Sequence, residues 1–364
     1  MSSLVVGEPL AFPDPNASWL LELPVAFSLE TKTNIWHGLA RSTRSSYKAA
    51  RESFEYFCAN RGIDAFPVRL LPLIEWVSLR ATGSHERFQN QISADTISNY
   101  ISALRSVHVD RGLVTEVFQD ETLRRVIAGV RRRQPKTDAD QAEPITLPIL
   151  RKLVDVDVDT SNISTNQAID KLNFATAAMT CYAGFMRSGE ITYEARDRAN
   201  QQLFEKTALL RSDITFCDTD DHVILALKES KTDYEHKGVQ IVIAASNSST
   251  CPVRALRRLF KEDPQPPNAP LFRFSNRAFS YKNFVAALRH RLDAIGIRDS
   301  SIYSGHSFRR GAASTAKMNG MLDADIQRLG RWNSECFQRY IDTDVYYRFR
   351  LSKQFLAGVS PSLS

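Results

Sequence analysis

The sequence is poor in cysteine and has no cysteine pair motif. Its five cysteines (Cys58, Cys181, Cys217, Cys251, Cys336) include no C-x-x-C, which argues against a disulfide framework or a zinc-ribbon site and fits a reducing compartment. No apolar run approaches the roughly 20 residues of a bilayer-spanning helix, so no membrane partner is expected. The first residues, MSSLVVGEPLAFPDPNASW, lack a basic stretch, and Gly7, Glu8 and Pro9 interrupt their short apolar run; no secretory signal is expected. There is no G-x-x-x-x-G-K-[ST] loop, no H-E-x-x-H and no carboxylate cluster at metal-site spacing, so the expected cofactor set is empty. No internal repeat is visible.

What remains reads as a folded chain of two domains. At 364 residues, with 43% hydrophobic and 24% charged, it exceeds what one core usually serves. The net charge of +6 and pI near 9.0 mildly favour a polyanionic partner. Residues 1–30 carry four prolines and read as an irregular arm. Residues 31–130 read as a helical bundle: Tyr47, Phe54, Phe57 and Cys58 form one stripe after a Ser42 or Thr43 cap, a helix follows over Arg69–Ala81, and Ile97, Tyr100, Ile101, Leu104 and His108 form another stripe after Ser93 or Asp95. A fourth helix is expected over Glu121–Val130. Residues 131–148, RRRQPKTDADQAEPITLP, read as an exposed basic linker. Residues 149–352 read as helices around a small antiparallel sheet built from LLRSDITFC, HVILALK and GVQIVIA, and 353–364 as a tail. The fold class is mainly α with a small antiparallel β-sheet.

Six residues could carry chemistry. In SGHSFRRGAASTAKMNG, a Ser304 cap would put His306 and Arg309 three apart on one helical face, where both reach a single phosphate. Seven histidines and 47 lysines plus arginines make about one such pair expected by chance, and His108 with Arg111 is a second, read there as a complement to the helix dipole. GFMRSGE places Arg187 at a turn into a helix, SKTD places Lys231 between two strands, and Trp332 and Tyr340 follow on the last helices. Singly, each has an ordinary structural reading: Arg187 pairs with Glu190, Lys231 is a solvated turn lysine, and Trp332 and Tyr340 are core aromatics.

In this order, Arg187, Lys231, His306-x-x-Arg309, Trp332 and Tyr340 resemble the catalytic set of the tyrosine recombinase (phage integrase-like) family. The resemblance covers about residues 31–352, and LKESKTD, TCPVRAL and GRWNSECFQRYI are most similar to its eukaryotic crypton-type transposon branch. The Trp332-to-Tyr340 interval is one residue shorter than the family's usual one, Tyr346 and Tyr347 lie close by, and the arginine box carries a glycine, Gly189.

The resemblance implies an N-terminal core-binding domain that grips DNA, and a C-terminal catalytic domain that cuts and rejoins strands through a 3′-phosphotyrosine intermediate and a Holliday junction. Four protomers would act on two sites in double-stranded DNA, for a mobile element, in a nucleus if the source is eukaryotic and otherwise in the cytoplasm with the chromosome. Preorganised guanidiniums at Arg187 and Arg309 would stabilise charge on the nonbridging oxygens. His306 would assist loss of the phenol proton, Lys231 would protonate the leaving 5′ oxygen, and Trp332 would donate to the phosphate or buttress the tyrosine. Arg44, Lys48 and Arg51 on the first bundle helix, with Arg131, Arg132, Arg133 and Lys136 in the linker, are the expected DNA contacts. Two alternatives stand beside this reading: a type IB topoisomerase or resolvase with the same chemistry, and a domesticated DNA-binding protein without catalysis.

Overall fold

The computed structural model describes residues 28–39, 41–134, 142–156, 165–228, 238–333 and 335–341, together with Phe349, Ser352 and Lys353. The chain divides into two compact units, residues 1–137 and 138–364. Of the arm, only residues 28–30 are described; there Ser28 accepts from the Thr31 amide and caps α1 (Leu29–His37).

The first unit is helical. It contains α2 (Arg41–Ala59), α3 (Leu70–Thr82), α4 (Ala94–Asp110) and α5 (Glu121–Arg133). Ser93 caps α4 by accepting from the Thr96 amide, and Asp120 caps α5 through the amides of Thr122 and Leu123, which satisfies donors a helix start leaves open. The stripes of α2 and α4 meet the apolar face of α3: Phe54, Phe57, Leu73, Trp76, Ile97, Leu104 and Leu123 are buried together. Trp76 lies edge-on to Phe54 at 5.4 Å and donates its indole N–H to Ser53 Oγ at 3.1 Å. The helix α5 continues through Arg131, Arg132 and Arg133, which corrects the reading of those residues as linker: the three arginines form its last turn, where cations complement the carbonyl end.

The structure also revises His108. Instead of standing charged at a helix end, it is fully buried. Its Nε2 accepts the Val68 amide at 3.0 Å and its Nδ1 donates to the Val114 carbonyl at 2.5 Å. His85 is buried too, and its Nδ1 accepts from the amides of Arg87 and Phe88 while Nε2 faces the Ser53 carbonyl at 3.2 Å. Burial holds both imidazoles below their ordinary value. The unfolded chain binds these protons near pH 6.5 and the folded unit resists them, so stability is greatest above pH 6.5 and falls as the pH drops below it. The slope is at most about 1.4 kcal/mol per pH unit for each histidine. Hydrogen exchange of α3 and α4 amides in the full chain is expected to accelerate from pH 7.5 to 5.5 after correction for intrinsic rates, and His108→Gln is expected to weaken that dependence.

The second unit begins with α6 (Leu147–Asp155), capped by Thr146, and α7 (Thr165–Ala183). After α8 (Gln201–Thr207) come β1 (Ile214–Phe216), β2 (His222–Leu227) and β3 (Val239–Ala244), antiparallel in that order with Leu225 opposite both Ile214 and Ile241. Alternation puts Val223, Leu225, Leu227, Ile241 and Ile243 inside, as a half-buried sheet requires. Among the described residues, α9 (Pro252–Glu262), α10 (Tyr281–Ala294), α11 (Ser307–Met318) and α12 (Asp323–Gly330) follow. α7 packs against α6, α9 and α11, and Phe174, Phe272, Phe279, Phe284 and Phe308 fill the centre of this core. The mostly helical class with one small antiparallel sheet is as the sequence implied.

Candidate active site

Three short segments converge on one buried arginine. The first is the corner after α7, where Phe185 turns at φ +49° and Met186 anchors in the core. There Arg187 precedes a 3₁₀ turn, Ser188–Glu190. Glu190 accepts from the Arg187 amide and from Arg187 Nη1, each at 3.0 Å. The ordinary pairing read from the sequence is therefore present. The Glu190 side chain is 5% exposed and that of Arg187 is 17% exposed.

The second segment is the start of α11. His306 and Arg309 do not share one helical face as expected: His306 is the N-cap and exposed, whereas Arg309 is fully buried. The Ser304 hydroxyl accepts the His306 amide, and α11 begins at Ser307. Arg309 Nη1 donates to the Phe185 carbonyl at 2.8 Å and Nη2 to the Gly330 carbonyl. Its guanidinium lies 4.3 Å over the Trp332 ring and 5.8 Å from that of Tyr340. Burial, reinforced by Arg187 and Arg331, pushes the Arg309 guanidinium down to about 9, with Glu190 and Tyr340 offsetting part of this. An anion placed here would favour its charged form.

The third segment follows α12. Arg331 ends that helix in the left-handed region at φ +57°, Trp332 comes next, and a 3₁₀ helix over Glu335–Tyr340 carries the tyrosine. Tyr340 thus ends a short helix of the 3₁₀ type, while Trp332 stands between that helix and α12. Trp332 is buried between Phe185 at 6.3 Å, Phe337 at 6.0 Å and Tyr340 at 5.3 Å, a packed position that fits a buttress. Tyr340 is half-buried, its ring 6.2 Å from that of His306, and Ser314 Oγ donates to its carbonyl at 3.3 Å. Two glycines permit the convergence. A Cβ on Gly305 would stand 1.8 Å from Ser188 Oγ, and one on Gly330 would stand 1.6 Å from the Trp332 ring; neither approach tolerates a side chain.

The structure thus gathers Arg187, His306, Arg309, Trp332 and Tyr340. Lys231, and the neighbouring tyrosines Tyr346 and Tyr347, lie outside the described residues. Sequence reasoning passed over Arg331, whose Nη2 donates to Glu190 at 2.8 Å and whose Nη1 donates to the Gly184 carbonyl at 3.0 Å. Its signal was the short interval before Tyr340: counting one residue earlier than Trp332 lands on Arg331. Among the described residues, a grouping at metal-ligand distance occurs where Cys217, Asp221 and His222, between β1 and the start of β2, each offer an atom within 4.8 Å of the others. There Asp221 and His222 already bond each other.

In the first unit, the cations expected to meet DNA are placed as follows. Arg44 is half-buried and donates to the Leu39 carbonyl at 2.5 Å. Lys48 lies 3.8 Å from Glu52 and Arg51 3.0 Å from Glu55, both along α2. Arg131 pairs with Asp95 at 2.7 Å, and Arg132 and Arg133 are exposed. Such surface pairs are worth about 0–1 kcal/mol, little enough to be exchanged for phosphate. Lys136 lies outside the described residues.

No protein-family model matches the chain. A curated relative, an integrase/recombinase XerD homologue from Selenomonas ruminantium, is 24% identical over 327 residues, covering 86% of this chain and 85% of the relative. Among solved structures, the XerH site-specific recombinase bound to a palindromic difH substrate aligns at TM-score 0.58 with 16% identity, covering 95% of this chain and 90% of that one. The Tn1549 transposon integrase in complex with transposon right end DNA aligns at 0.53 with 13% identity, covering 94% and 98%. The lambda integrase dimer on a core site aligns at 0.50 with 14% identity, covering 89% and 76%. The fold is that of the tyrosine recombinases. The curated relative carries the comparison to the sequence and supports a recombinase/integrase enzyme of that class.

Proposed function

We propose that this chain is a site-specific DNA recombinase that cuts and rejoins strands by transesterification, with Tyr340 as nucleophile. The observation that carries the reading is the convergence on Arg309, which touches the Arg187 corner, the Gly330 segment and the Trp332 and Tyr340 rings at once. A phosphodiester seated there meets guanidiniums held in place before it arrives, which stabilises the charge that attack adds. His306, beside the Tyr340 ring, takes the phenol proton. The product is a 3′-phosphotyrosine, which keeps the energy of the cut bond and lets the strand rejoin. Strand exchange by four protomers on two duplexes then passes through a Holliday junction. A mobile element of the crypton kind, acting in a nucleus, fits the phrases LKESKTD and GRWNSECFQRYI. The test is a pool of nicked duplexes with randomised centres: wild-type protein is expected to become covalently attached to a subset of them, in excess EDTA as well as without it. No adduct with any duplex, or adduct that depends strictly on a metal ion, would overturn the reading.

Lys231 is proposed as the acid that protonates the leaving 5′ oxygen, on the strength of its place in SKTDYEHKG between β2 and β3. A 5′ alkoxide leaves poorly without a proton, whereas a 5′ thiolate leaves unassisted. Lys231→Ala is expected to cleave ordinary duplex very slowly and to regain most of the wild-type rate on duplex with sulfur at the bridging 5′ position. Equal slowness on both substrates would move the acid elsewhere.

Arg44, Lys48, Arg51, Arg131, Arg132, Arg133 and Lys136 are proposed as backbone contacts. Neutralising Arg131 to Arg133 is expected to weaken DNA binding across sequences and to flatten the slope of log affinity against log salt by up to about 0.9 for each phosphate no longer neutralised. An unchanged slope would return this turn of α5 to solvent.

A further inference from the structure

Glu190 poses an electrostatic problem for the site proposed above. Its carboxylate lies against the guanidinium of Arg187, and a paired, buried carboxylate would cancel the charge that Arg187 is meant to direct at a phosphate. Arg331 bears on this. The left-handed backbone at this residue sends its side chain back under the Arg187 corner, where Nη2 draws Glu190 Oε2 and Nη1 holds the Gly184 carbonyl. Glu190 is thereby divided, with Oε1 toward Arg187 Nη1 and Oε2 shared between Arg331 and the Arg187 amide. Three guanidiniums against one carboxylate leave the group two charges positive. The Nε atoms of Arg309 and Arg331 are buried without a hydrogen-bond partner among the described residues, a cost that folding does not recover.

We infer that Arg331 is a positioning residue for strand cleavage: by occupying half of Glu190, it keeps the Arg187 guanidinium electropositive and aimed at the scissile phosphate. This role rests on the recombinase reading of the site and deepens it. Arg331 also shares its two anchor segments with Arg309. One arginine bonds the Gly184 carbonyl and Glu190 from the residue after Gly330, while the other bonds the Phe185 and Gly330 carbonyls from α11. The corner that bears Arg187 and the segment that leads to Tyr340 are therefore cross-tied twice. Trp332, packed on Arg309, sits beside this tie.

The experiment uses the full chain and a duplex recovered from the wild-type adduct pool, in single-turnover cleavage, with a thermal melt of every variant. Arg331→Met is expected to cleave about 100-fold more slowly than wild type, the lower end of the scale of losing an electrostatic partner in a closed site, with duplex affinity little changed. Glu190 then falls wholly to Arg187, so adding Glu190→Gln to that variant is expected to restore cleavage at least tenfold. A purely structural tie predicts the reverse, since the double variant removes further bonds. Arg331→Lys, which keeps a charge beside Glu190, is expected to stay within about tenfold of wild type. A double variant no faster than Arg331→Met, or Arg331→Lys as slow as Arg331→Met, overturns the inference. Should Arg331→Met lose its melting transition, Arg331→Gln takes its place, and wild-type cleavage by Arg331→Gln overturns the inference equally. Failure of wild-type protein to form any adduct would instead remove the recombinase reading itself.

Discussion

Tyr340→Phe is expected to abolish covalent attachment to DNA while leaving the fold and DNA binding intact. The substitution removes one oxygen. The ring keeps its packing against Trp332 and His306, and the bond from Ser314 goes to the backbone carbonyl, which phenylalanine also supplies. Phosphotyrosine formation, however, needs that oxygen as the attacking atom, so adduct should fall by more than about 10³-fold, the scale at which loss of a covalent nucleophile is felt. Digestion of the wild-type adduct is expected to place the DNA on the peptide containing Tyr340. DNA on Tyr346 or Tyr347 would assign the nucleophile to the segment that follows.

Arg309→Lys has the second large effect, and its interest is that the charge is nominally kept. Arg309 bonds two carbonyls from segments far apart in the chain and stacks on Trp332. A lysine ammonium is a compact point charge and cannot span both carbonyls with a planar fork while covering the indole ring. The Phe185 and Gly330 segments then lose their common tie, and the guanidinium proposed to stabilise the phosphate is gone. Cleavage is expected to fall about 10²–10³-fold with duplex affinity little changed, measured by single-turnover kinetics and by titration of labelled DNA. Cleavage within a few-fold of wild type would reduce Arg309 to a core residue.

The sequence by itself determined the local elements. Ser93 announces a helix start, because its side chain satisfies the amide three residues on. The alternation in HVILALK and VQIVIA announces strands buried on one face. The stripes of α2 and α4 hold Phe54, Phe57, Ile97 and Leu104 in the core as spacing required. Residue order also singled out Arg187, His306, Arg309, Trp332 and Tyr340. What spacing could not supply was the direction in which those side chains point. A helical period places His306 and Arg309 on one face, yet the helix begins between them, so one is exposed and the other buried. His108 has the pattern of a helix-end cation, but a tertiary pocket leaves it neutral and bonded to Val68, 40 residues away. The arginine run at 131–133 has a linker's composition and becomes a helix end because α5 carries it there. Arg331 had no local signal beyond an interval one residue out. Its partners, Gly184 and Glu190, lie more than 140 positions earlier in the chain, and only the packing of α7 and α11 brings them within a hydrogen bond's reach. Local periodicity reports which face of an element is apolar. The meeting of three distant segments at Arg309 depends on close approaches at Gly305 and Gly330, and those exist only in the folded chain.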